Sequence, residues 1–164
     1  MKNTKSAFIG MVILFAVWVM LTDFSPQEMI FGGATALLII FLFHSKLAVL
    51  GDVKLNPRSL VYMVIYLFVF MWELLKSNID VARRVISPKL PINPGIVKVK
   101  TRLKSPLGRA FLANSITLTP GTLTVEMKDE YFYIHWIDVT SENIEGATES
   151  IVSNFEKYLE IIFG

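Results

Sequence analysis

Long uncharged blocks separated by short charged segments fill the first half of the chain, and a different rhythm follows. Ser6 to Thr22 carries no charged side chain, and neither does Met29 to Ser45. Each block is about 17 residues long. As a helix rising about 1.5 Å per residue it reaches roughly 26 Å, a little short of a hydrocarbon core of about 30 Å. Between the blocks, "DFSPQE" sets Pro26 and two acids where the chain must turn. The pair predicts a short helical hairpin in the membrane, short enough to thin the bilayer locally. A cleaved signal peptide is the rival reading of the first block, because Lys2 and Lys5 precede it. The following "VMLTDFSP" offers no small-residue cleavage site, and the second block begins at once.

A third block, Ser59 to Trp72, follows "NPRS", with Asn56 as the predicted cap and Pro57 as the first helical residue. Glu73 ends the uncharged run without ending the helical period. Leu75, Ile79, Ala82 and Ile86 recur at spacings of three and four among Lys76, Asp80, Arg83 and Arg84. One long helix that leaves the membrane as an amphipathic stem is the expectation. Glu73 reads as an interfacial acid paired with Lys76, one turn on; an acid inside the membrane would instead be a functional candidate. Charge leaves the orientation open. The hairpin returns the chain to its starting side, so only the third helix changes sides. Lys2, Lys5, Lys46, Lys54 and Arg58 then lie opposite Lys76, Arg83, Arg84 and Lys89, nearly equal counts under the positive-inside rule.

"SPKLPINPG", residues 87–95, cannot continue a helix and predicts a stiff Pro-rich linker. Beyond it the period changes to two. Val97, Val99 and Thr101 alternate with Lys98, Lys100 and Arg102, the pattern of a strand with one basic face. That stripe is either a solvated face or a contact for anionic lipid or an acidic partner. "SPLGRAFLANS" predicts a short helix capped by Ser105, with Leu107, Ala110 and Phe111 on one face and its end at Asn114 or Ser115. "ITLT" reads as a short strand with Ile116 and Leu118 on one side. "TPGT" reads as a type II turn with Pro120 and Gly121 at its centre. "LTVEM" resumes alternation with Leu123 and Val125 inward, and "YFYIHWIDV" is the most strand-like run. Thr140 or Ser141 caps a last helix with Glu142 and Glu145 in its first turns, buried through Ile144, Ile151, Phe155, Leu159 and Ile162.

The predicted architecture is a membrane helical region over residues 1–86, made of a short hairpin and one long helix with its stem. The linker 87–95 follows, and then a small α+β two-layer domain over 96–164. Composition agrees. Of 164 residues, 53% are hydrophobic and 18% charged, well below the quarter or so typical of soluble domains. Cysteine is absent, which excludes disulfides and thiolate metal sites, and a net charge of +2 does not suggest a nucleic-acid partner.

Reactive chemistry is sparse. Ser115, His135 and Asp138 compose a triad only on paper: residues three apart on a strand point to opposite faces, and the serine has no glycine-flanked elbow. His44, which closes the second block and is placed at the membrane interface, and His135 lie in different parts of the chain. No metal cluster, phosphate loop or dinucleotide pattern is evident. The chain therefore reads as a non-enzymatic, membrane-anchored small domain with no cofactor.

"LANSITLTPGTLTVE", residues 112–126, followed shortly by "YFYIHWIDV", resembles the E-type subunit of the multisubunit Mrp (Mnh or Pha) Na+/H+ antiporters, and the likeness extends over the whole chain. The resemblance implies an accessory membrane subunit outside the ion-translocating core, supporting assembly and stability of the other subunits in pH and sodium homeostasis. It implies a multi-pass protein of a prokaryotic plasma membrane with its C-terminal domain cytoplasmic and its N-terminus outside. Its partners would be the other antiporter subunits and membrane lipid. The motif positions are Asn114, Ser115, Thr117, Thr119, Pro120, Gly121 and Thr122, a structural corner or subunit contact. A self-contained module binding anionic lipid or a protein through Lys98, Lys100 and Arg102 is the alternative.

Overall fold

The computed structural model describes residues 2–164, without the side chains of residues 2, 3 and 44; the interfacial placement of His44 falls outside the described residues. The chain divides into two compact units, Met1–Val53 and Lys54–Gly164. The division falls inside the stretch 1–86 that sequence pattern groups as one membrane region, and it assigns the third helix to the unit that contains the head.

The first unit is the hairpin. Helix α1 (Lys2–Leu21) is followed by α2 (Pro26–Leu47) and a short 3-10 turn, Ala48–Asp52. Ser25 caps α2 by accepting from the Glu28 N–H at 3.3 Å, with Pro26 in the first turn. The Trp18 ring of α1 lies against Gly32 of α2. A Cβ on Gly32 would stand 2.5 Å from that ring, so only glycine lets the indole pack there. The 3-10 turn is held to α1 by Ser6 Oγ donating to the Ala48 carbonyl and Lys5 Nζ donating to that of Gly51. Thr4–Leu21, Pro26–Phe43 and Pro57–Ile86 are long and apolar enough to cross a membrane.

The second unit opens with α3 (Pro57–Ile86), capped as its sequence predicts: Asn56 Oδ1 accepts from the Ser59 N–H at 2.7 Å. Then come β1 (Gly95–Lys100), α4 (Pro106–Leu118), β2 (Thr122–Lys128), β3 (Tyr131–Trp136), α5 (Ile144–Ile151) and α6 (Ser153–Phe163). The sheet is antiparallel in the order β1-β3-β2. Val97 pairs with Ile134 and Val99 with Phe132. These four face the helices and are buried with Leu112, Ile116, Leu159 and Ile162. The small α+β two-layer head is thus present.

Several local expectations are corrected. "ITL" is helical, so α4 runs to Leu118. Ser115 does not break it because its hydroxyl donates back to the Phe111 carbonyl, a bond compatible with helix. What ends α4 is Pro120, which disfavours helical geometry at Thr119; that residue sits at φ −78°, ψ 115°. The buried face of α4 is Gly108, Leu112, Ala113, Ser115 and Ile116 rather than Leu107, Ala110 and Phe111. On β2, Leu123 and Val125 point outward and are about half exposed. The inward positions belong to Thr122 and Thr124, whose hydroxyls donate to the Ile116 and Ala113 carbonyls of α4. A register shift between Thr124 and Glu126 makes Val125 a bulge. The last helical segment is two helices meeting at Val152, and its cap is Asn143, which accepts from the Gly146 N–H at 2.6 Å. Ile144 is partly exposed; the rest of its predicted stripe is buried.

Candidate functional site

The motif forms a corner where α4 turns into β2 and lies against α3. Pro120 and Gly121 make the turn: Gly121 has φ +93° and the Thr122 N–H reaches the Thr119 carbonyl at 3.2 Å. Type II geometry requires that positive angle at its third residue. A side chain on Gly121 would also meet Ile137 Cγ2 at 2.9 Å. The corner is stitched by its hydroxyls. Thr122 Oγ1 donates to the Ile116 carbonyl at 2.6 Å, Thr119 Oγ1 to that of Ser115 at 2.7 Å, and Thr117 Oγ1 accepts from the Thr124 N–H at 3.1 Å. The Gly121 carbonyl accepts from the Ile137 N–H at 2.8 Å, joining the corner to the end of β3. Asn114 is exposed.

Ser115 is buried and its single hydroxyl hydrogen goes to the Phe111 carbonyl at 2.8 Å. It therefore accepts the hydrogen bond that links it to the Tyr66 hydroxyl of α3. Between the corner and α3 lies an open cleft of about 340 Å³, lined on one side by Glu73, Lys76, Ser77, Asp80 and Arg84 and on the other by Thr119, Pro120, Gly121, Thr122, Trp136 and Asp138. Its cations are engaged. Lys76 pairs with Glu73 at 2.9 Å, and Arg84 pairs with Asp80 at 2.7 Å and Asp138 at 2.8 Å while donating to the Pro91 carbonyl. Asn93 adds a backbone bridge from the Pro-rich segment to Asp138, so residues 91–93 are docked on the head.

The paper triad does not assemble. Ser115 is committed to Phe111 and Tyr66, and Asp138 to Arg84. His135 sits on the outward sheet face between Ile96 and Leu123. Among the described residues no three His, Asp or Glu side chains group as metal ligands.

The basic stripe is also partnered within the chain. Lys98 Nζ stands 3.7 Å from the Tyr131 ring centroid, and Lys100 pairs with Glu130 at 3.2 Å. Arg102 reaches Glu156 and Glu160, each at 3.1 Å. Mutual hydrogen bonding pushes Lys100 above the ordinary lysine range and holds the Glu130 carboxyl below its own. Glu156 is buried and accepts from Thr101 Oγ1 at 2.5 Å and from the Arg102 backbone N–H at 2.8 Å, capping the chain as it leaves β1.

Tyr66, Arg84 and Glu156 organise this region and were not singled out from sequence. Tyr66 carries a faint signal, a hydroxyl inside an apolar block one turn after Tyr62. Arg84 and Glu156 look like ordinary solvated charges until tertiary structure supplies their partners.

A helical hairpin joined to a small α+β head braced along one helix defines a membrane protein whose head is a packed body. A family model for the Na+/H+ ion antiporter subunit matches residues 11–162. The chain is 33% identical over 149 residues to the Na+/H+ antiporter E subunit of Alkalihalophilus pseudofirmus, an alignment covering 89% of this chain and 90% of that protein. It is 37% identical over 150 residues to the E1 subunit of the Staphylococcus saprophyticus antiporter, covering 89% of each. Among solved structures, a chain of the membrane-bound sulfane sulfur reductase, an archaeal respiratory membrane complex, superposes with a TM-score of 0.86 at 40% identity over 97% of this chain and 99% of that one. The chain belongs to the family of E-type subunits of Na+/H+ antiporters.

Proposed function

We propose that the protein is an accessory subunit of a multisubunit Na+/H+ antiporter, serving assembly and stability of the ion-translocating subunits in pH and sodium homeostasis. It resides in a prokaryotic plasma membrane with its head on the cytoplasmic face, and its partners are the other antiporter subunits. The observation that carries this reading is the self-sufficiency of the head. The hydroxyls of Ser115, Thr119 and Thr122 and the cations Lys76 and Arg84 are all engaged within the chain. An ion path needs polar groups with coordination to offer; a scaffold needs a rigid body attached to membrane helices. The same engagement of Lys98, Lys100 and Arg102 weakens the alternative of a lipid-binding stripe. Purification of the tagged protein from native membranes in mild detergent tests the proposal. Co-purification of large multispanning subunits is expected, and deletion of the gene should deplete the assembled complex. A chain recovered alone, with the other subunits assembling normally in its absence, overturns it.

A further inference from the structure

Past β1 the in-and-out alternation continues to the start of α4. Thr101 and Leu103 are buried, while Lys100, Arg102 and Lys104 are exposed. The backbone of this segment is fixed. The Thr101 N–H donates to the Glu130 carbonyl at 2.9 Å, the Arg102 N–H to Glu156 at 2.8 Å and the Leu103 N–H to Thr101 Oγ1 at 3.2 Å. Ser105 then caps α4 by accepting from the Gly108 N–H at 3.1 Å, and the Arg109 N–H closes the first turn on the Ser105 carbonyl at 2.9 Å. The result is an open cleft of about 450 Å³ with Lys100, Arg102, Lys104 and Arg109 along its walls and Glu130 as the acid among them.

Two of the four bases are committed within the chain. Lys100 pairs with Glu130, and Arg102 with Glu156 and Glu160. Lys104 and Arg109 form no ion pair among the described residues. Asp129, next to Glu130 in the hairpin, is exposed and does not line the cleft. Lys104 is exposed, but Arg109 is not free in solvent. Its side chain is half-buried, with the guanidinium carbon 5.3 Å from the centroid of the fully buried Phe132 ring. That contact holds the guanidinium at the cleft wall.

These two bases also sit against the helix dipole. α4 has no acid in its first turn, where the dipole favours one. It has Lys104 just before its cap and Arg109 at the end of that turn instead. Two unpaired cations at a helix start repel the dipole and each other, and an anion between them would relieve both. A guanidinium offers a planar fork that matches phosphate oxygens, and a lysine adds a point charge. A phosphoryl group carries about −1.5 to −2 charges near neutral pH, which matches two unpaired cations; a single carboxylate leaves one of them unmatched.

We propose that this cleft binds a phosphoryl group, with Arg109 donating to two of its oxygens, Lys104 supplying the second charge, and Lys100 and Arg102 making the wall positive. The group can come from a soluble phosphorylated solute or from a lipid headgroup, and the test separates the two. The assembled complex is placed in nanodiscs of neutral lipid and its lysines are acetylated. Mass spectrometry reads the modification of Lys104 and of exposed Lys89 as a control. Pyrophosphate should slow acetylation of Lys104 several-fold beyond sodium chloride of matched ionic strength and leave Lys89 unchanged. Protection without added pyrophosphate in nanodiscs containing phosphatidic acid assigns the lipid source; protection only with pyrophosphate assigns a soluble one. Arg109→Gln should raise the half-protecting concentration about tenfold, with an unfolding midpoint in phosphate-free buffer close to the parent's. Arg109→Lys, which keeps the charge and loses the fork, should fall between the two. Absence of protection in both arms, protection that chloride reproduces, or protection that Arg109→Gln leaves intact overturns the proposal. So does a Lys104 already shielded in neutral nanodiscs before any anion is added, because another subunit then covers the cleft.

Discussion

Tyr66 donates its hydroxyl hydrogen to Ser115 across 49 residues of sequence, and the same serine donates onward to Phe111. The motif's serine is therefore the acceptor in a bond that joins the head to α3. Ser115→Ala leaves a partly buried phenol without its acceptor, a loss of about 1–3 kcal/mol. Tyr66→Phe should lose about 1 kcal/mol, since Ser115 keeps its backbone partner. The double variant should be less destabilised than the sum of the two. Thermal unfolding in detergent measures all three; a Ser115→Ala protein as stable as the parent contradicts the assignment.

Gly121 carries the turn. Its φ of +93° and the 2.9 Å separation between a built Cβ and Ile137 predict that Gly121→Ala costs about 1–3 kcal/mol in backbone strain and loosens the bond from the Ile137 N–H. Pro120→Ala should cost under about 1 kcal/mol, because it mainly enlarges the unfolded ensemble. Unfolding midpoints of the two variants, compared side by side, check the ranking.

Much of this arrangement is legible in sequence where a local rule decides alone. Asn56-Pro57 and Ser105-Pro106 announce helix starts because cap and proline act within one turn. Val97, Val99 and Thr101 declare the buried face of β1 by alternation. Sequence reading fails where a hydroxyl finds a distant carbonyl. Thr122 and Thr124 take the inward positions of β2 through bonds to α4, which puts Leu123 and Val125 outside, against their hydrophobicity. Ser115 looks like a helix end and instead bonds back within the helix. The engagement of Ser115 by Tyr66 and of Asp138 by Arg84 depends on α3 lying along the head, which no periodicity in either segment states.

Arg84 links the end of α3 to the head and to the Pro-rich segment through Asp138 and the Pro91 carbonyl. The pair is partly solvated, so Arg84→Gln should cost only about 1 kcal/mol in global stability. The local effect should be larger: limited proteolysis should cut residues 87–94 faster than in the parent. Arg84→Lys should not rescue protection, because an ammonium cannot reproduce the guanidinium fork that serves three acceptors.

Lys100 and Glu130 give the head a shallow pH dependence. Glu130 is held below its ordinary 4.5 by the Lys100 hydrogen bond, so its contribution is present above that value and fades as pH falls through the lowered one. Lys100 is raised above its ordinary 10.5 by Glu130, so its contribution is present below that value and fades only in stronger alkali. Melting curves of the parent and Glu130→Gln should differ at neutral pH and converge on acidification, and added salt should narrow the difference. A difference that persists in acid contradicts the pairing.

Glu156 anchors the exit from β1 with three donors: Thr101 Oγ1 and the Arg102 N–H on one oxygen, Arg102 Nε on the other. Glu156→Gln can keep its carbonyl on the first two and turns an amide nitrogen toward the guanidinium. Arg102 is 67% exposed and retains Glu160, so the expected loss is about 1 kcal/mol. Glu156→Leu strands the Thr101 hydroxyl and the Arg102 N–H without acceptors and should cost about 3 kcal/mol. Glu160→Gln, on the outer edge of the same cluster, should be close to neutral. Chemical denaturation should rank the variants Leu, Gln at 156, then Gln at 160. If Glu160→Gln proves the most damaging, the anchor lies at the surface pair and not at the buried carboxylate.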